Sequence, residues 1–71
     1  MNLYLLTQDK NIGYDTYSSA VVAASTITFA IRTEVGDEDT WCDPKHVKAE
    51  LIGKAVKGTE PGVILASFNA G

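Results

Sequence analysis

The sequence predicts an α+β domain, an antiparallel four-stranded sheet in the order β-β-α-β-β with one short helix packed on one face. Two observations predict it. Short apolar runs rich in Val, Ile and aromatic residues recur along the chain, bounded by Gly, Asn, Asp or Pro. One segment between the second and third runs carries an apolar stripe at helical spacing. With 71 residues the chain is expected to form a single domain, 1–71. A core this small is thin, because chains of about 60 residues hide only about 60 % of the surface they expose when unfolded.

The first strand is expected at Asn2–Thr7, "NLYLLT", where apolar and aromatic residues stop at the polar "QDKN". Gln8–Ser19 collects Asp, Asn, Gly and Ser and reads as a long connection. Ala20–Ala24, "AVVAA", resumes as the second arm of that hairpin.

Ser25–Val35 supports two readings. At period two, Ile27, Phe29 and Ile31 face one way, while Thr26, Thr28 and Arg32 face the other, as in a strand. At period 3.6, Ile27, Ala30, Ile31 and Val35 form a stripe, with Ser25 as N-cap and Gly36 as stop. A strand running on through Arg32 would far exceed the usual five or six residues. A short helix is therefore expected.

Gly36–Pro44 is a polar loop, and Pro44 disfavours helical geometry at Asp43. Beyond it Val47, Ala49 and Leu51 alternate with Lys48 and Glu50, the pattern of a strand with one wet face. Lys57–Gly62 is turn chemistry. Val63–Phe68, "VILASF", is apolar on both faces up to Ser67, which predicts a strand in the middle of the sheet.

A composition of 45 % hydrophobic and 21 % charged residues lies in the globular range and outside that of disordered chains. The net charge of −3 argues against sequence-independent binding of nucleic acid, which depends on Lys and Arg displacing counterions. It suits a basic protein partner. No apolar run approaches the 18–20 residues of a membrane span, and no signal-peptide pattern opens the chain, so a cytoplasmic product is expected. The single Cys excludes an internal disulfide and a zinc framework of repeated Cys pairs. The thin core makes a homodimer the expected assembly.

"LYLLTQ" (Leu3–Gln8), "GYDTYSSAVVAAS" (Gly13–Ser25), Trp41 and Pro44 of the middle loop, "VKAELIGKA" (Val47–Ala55) and "GVILASFNAG" (Gly62–Gly71) together resemble a group of small proteins from bacteria and their phages. The likeness covers most of the chain but is weak over 26–39. There the group carries a more helical composition of Glu, Ala and Arg. The resemblance implies a phage or mobile-element setting and supplies no mechanism.

"TWCDPKH" (Thr40–His46) holds the only Trp, Cys and His of the chain. Cys42, Asp43 and His46 could offer thiolate, carboxylate and imidazole. A zinc site, however, needs about four protein ligands, or three and a water, and a Cys–His nucleophile needs an orienting group and an oxyanion hole. The simpler reading makes Trp41 a cap on the sheet, Cys42 a small hydrophobe, and Asp43 and Pro44 the turn into the next strand. No cofactor, no metal and no catalytic residue is expected.

Glu34, Asp37, Glu38, Asp39 and Asp43 crowd one stretch around Trp41. They lack the alternating ligands, central Gly and closing Glu of a calcium loop. A run of this kind is commonly a solvated loop. Its functional reading is a partner-binding surface, with the carboxylates steering a basic groove and Trp41 as the anchor.

The function read from these features is a small acidic interaction module, not an enzyme, of phage or mobile-element origin. It would inhibit a host or bacterial defence complex, such as a CRISPR effector, by occluding a basic surface. The alternative is a ligand-binding or enzymatic homodimer whose shared cleft uses Tyr14, Asp15, Cys42 and His46. Phe68, directly after the most apolar run, is expected to pack beneath the helix or to complete a subunit interface.

Overall fold

The computed structural model describes residues 1–70. Four strands, β1 (Asn2–Thr7), β2 (Thr16–Ala24), β3 (Lys48–Lys54) and β4 (Gly62–Asn69), form one sheet in the order β3-β1-β2-β4, antiparallel throughout. The helix α1 (Ile27–Ile31) follows β2 and packs against β1, β2 and β3. The α+β expectation holds.

Register fixes which side chains share a face. Tyr4 lies opposite Val22 and Leu51, and Leu6 opposite Ala20 and Ala49. Tyr4, Leu6, Ala20 and Val22 build the core with Ala24, with Ala30 of α1 and with Trp41 and Val47. Leu6 and Val22 are fully buried, Ala49 packs against the cluster, and Leu51 stays exposed. Leu3, Leu5, Val21 and Leu65 lie on the other face by the same register. That face has no helix over it.

Three irregularities bend the ladders, and each inserts one residue into one strand: Ser18 in β2, Ile52 in β3 and Ile64 in β4. The first has a visible effect. Strict alternation would put Tyr17 on the open face with Ser19 and Val21. Instead Tyr17 packs against the core, and its ring meets Phe68 edge-on at 4.9 Å between centroids.

Several sequence expectations need correction. The second strand begins at Thr16 rather than Ala20, because Tyr17 and Ser19 pair with β4 despite their turn-like composition. The helix is capped by Thr26 rather than Ser25, the Thr26 Oγ1 accepting the Phe29 N–H at 3.2 Å. It ends at Arg32, short of Gly36. There Thr33 Oγ1 donates back to the Phe29 carbonyl at 2.9 Å, and the Thr33 N–H turns to Ala30 O at 3.1 Å in a tighter turn.

The strand containing "VILASF" is an edge strand, not a central one. Its partner is β2 alone, and its apolar side chains are exposed rather than sandwiched. Phe68 is nearly half exposed and rests on Tyr17, so it completes no core beneath the helix.

Candidate functional site

The middle loop runs from Thr33 to Asp43 across the end of the sheet, and its shape comes from Asp37. Its Oδ1 accepts from the Asp39 and Thr40 N–H groups at 3.0 and 3.1 Å and from the Thr40 hydroxyl at 3.1 Å. Its carbonyl accepts from Trp41 N at 2.9 Å. Asp residues favour such local turns because the side chain substitutes for a backbone acceptor. One oxygen of Asp37 is thereby committed to the fold. Gly36 is required at the bend for another reason, since a Cβ there would collide with Thr40 Oγ1 and the Tyr17 ring.

The loop is tied to the β1–β2 connection. Asn11 Nδ2 donates to the carbonyls of Trp41 at 2.8 Å and Glu38 at 3.1 Å, and Tyr17 N–H donates to Thr40 O at 2.8 Å. Asn11 is itself held by Gln8, whose Oε1 accepts the Lys10 and Asn11 N–H groups at 2.9 and 2.8 Å. Gln8 Nε2 donates to Tyr17 O at 2.9 Å. Gln8 and Asn11, which make these ties, did not stand out in the sequence. A turn-rich stretch carries no local mark of which amide reaches a loop thirty residues away.

These ties bury Trp41, which is 4 % exposed and sits in the core beside Tyr4, Leu6 and Val22. It is therefore no exposed anchor for a partner. The carboxylates stay outside, with Glu34, Asp37, Glu38, Asp39 and Asp43 all exposed. Between the end of α1 and this loop lies an open groove of about 920 Å³. Glu34, Asp37, Glu38 and Asp43 line it with Cys42 and His46, and Lys10 and Arg32 contribute two cations. Asp39 does not line it.

Cys42 and His46 share the groove, but Tyr14 and Asp15 do not line it, so a single chain does not gather the four residues into one cleft. Tyr14 is 76 % exposed. Asp15 takes a left-handed backbone (φ 61°) where the connection enters β2. Burial pushes the Cys42 thiol up from its ordinary value, and the carboxylates of Asp43 and Asp9 push it further the same way. A thiol so placed is a poorer nucleophile and a poorer metal ligand at neutral pH. No cluster of three or more His, Cys, Asp or Glu with metal-binding proximity occurs among the described residues. No helix among them is long and apolar enough to cross a membrane.

Set against protein-family models, curated proteins and solved structures, the chain matches none.

Proposed function

We propose that the chain is a protein-interaction module that engages a basic surface of a partner protein through its middle loop. The observation that carries this reading is the fixation of the loop. Exposed carboxylates of Glu34, Glu38, Asp39 and Asp43 are mounted on backbone held by Asn11, Tyr17 and the Asp37 turn. A surface ordered before contact loses little entropy on binding, and carboxylates of one sign draw in a basic partner. Because Trp41 is core, its role is to hold the loop rather than to fill a pocket on the partner.

The resemblance to bacterial and phage proteins supplies only a setting, that of a phage or mobile element. Within that setting we assign the partner to a bacterial defence complex whose basic surface the module occludes. The raised Cys42 thiol and the separation of Tyr14 and Asp15 from Cys42 and His46 favour this over a catalytic cleft.

The test is capture from a lysate of the bacterial host, comparing the native chain with a folded Glu38→Gln/Asp39→Asn/Asp43→Asn variant. A stoichiometric partner held by the native chain, released by salt and lost by the variant supports the reading. A partner held equally by both contradicts it.

A further inference from the structure

The two edges of the sheet are unlike. β3 carries Lys48, Glu50 and Lys54, and charged side chains on an edge discourage pairing with another strand. β4, "GVILASFN", has no charge and no Pro along its length, and only β2 pairs with it. Alternate residues of such an edge turn their N–H and C=O groups outward with no partner strand. Its large aliphatic side chains are largely uncovered as well. Leu65 is 70 % exposed and Ile64 53 % exposed, and α1 packs on the other three strands.

The surface of the whole chain points the same way. Its accessible area is 4810 Å². A monomer of 7.6 kDa is expected to expose about 4,300 Å². The excess of roughly 500 Å² means that the single chain covers less of its surface than a typical monomer of its mass.

We infer that β4 pairs antiparallel with β4 of a second copy across a two-fold axis, joining two sheets into one of eight strands. Several features select a second copy as the occupant. An uncharged strand opposes its own image without like-charge repulsion, although the chain as a whole is acidic. An antiparallel pair of identical strands is two-fold symmetric and so closes at a dimer. The charged β3 edges lie at the far ends and stop further growth.

Equilibrium sedimentation of the native chain, Leu65→Lys, Leu65→Glu and an equimolar mixture of the two variants tests the pairing. Amide hydrogen exchange of the native chain at low and high concentration accompanies it. The native chain should sediment at twice 7.6 kDa at micromolar concentration. Each variant alone should fall to half that mass, and the mixture should recover the dimer. Outward amides of β4 should gain protection with concentration while those of β3 do not, a readout that stands even if a variant fails to fold. A native chain sedimenting only as 7.6 kDa overturns the inference. So does a ladder of larger species, or a dimer that leaves the β4 amides unprotected, as packing through the open face would.

Discussion

The side-chain amide of Asn11 donates to the main-chain carbonyl of Trp41 at 2.8 Å, joining the first connection of the chain to its middle loop. The same amide reaches Glu38 O at 3.1 Å, so one side chain satisfies two carbonyls of the loop. Asn11→Ala removes both bonds and leaves the partly buried Trp41 carbonyl without this donor. The expected loss is about 1–3 kcal/mol, the cost of stranding polar groups away from water. Urea denaturation measures it, and faster amide exchange within 37–41 locates it.

Trp41 is a core residue by position, and truncating it should cost about what other large-to-small core changes do. For Trp41→Ala that is about 3–5 kcal/mol, a large part of the stability of a domain this small. Thermal unfolding should show a collapse of the transition. Tryptophan emission of the native chain should be blue-shifted and quenched little by iodide, and it should shift to the red on unfolding.

Gly36→Ala should destabilise by about 1–3 kcal/mol, the usual cost of forcing atoms into filled space. The new methyl meets Thr40 Oγ1 and the Tyr17 ring. Chemical denaturation of Gly36→Ala beside Gly53→Ala is the control, since a Cβ at Gly53 meets nothing.

Cys42 should react slowly with thiol reagents at neutral pH, and its rate should rise with a midpoint above that of an ordinary exposed thiol. Because the folded value lies above the unfolded one, folding favours the protonated thiol. That contribution is fully present below the unfolded value and is lost as pH rises through the folded one. Stability should therefore decline above about pH 9, and Cys42→Ser should remove that part of the decline. Rates of modification and melts between pH 7 and 10.5 read both.

Much of the architecture was legible because local chemistry and tertiary context agree along β1, the later part of β2 and β3. The four strands and the short helix follow from apolar runs and their boundaries. The place of β4 was not legible, because an apolar run reads the same whether it is covered on both faces or left uncovered on an edge. For Trp41 the local signal misled. Its acidic neighbours look solvated, while its burial depends on Asn11 and Tyr17, distant in sequence. The acids of the loop were visible at once, but the groove they share with Lys10 and Arg32 emerges only when the loop folds back across the sheet.

The most direct measurement of the proposed function is the association rate of the captured partner, by stopped flow at low and high salt. It compares the native chain with the Glu38→Gln/Asp39→Asn/Asp43→Asn variant. If the fixed loop steers a basic partner, the variant should associate about tenfold more slowly at low salt and show a flatter salt dependence. Equal rates and equal salt dependence for the two proteins, with the variant folded, would contradict the loop as the recognition surface.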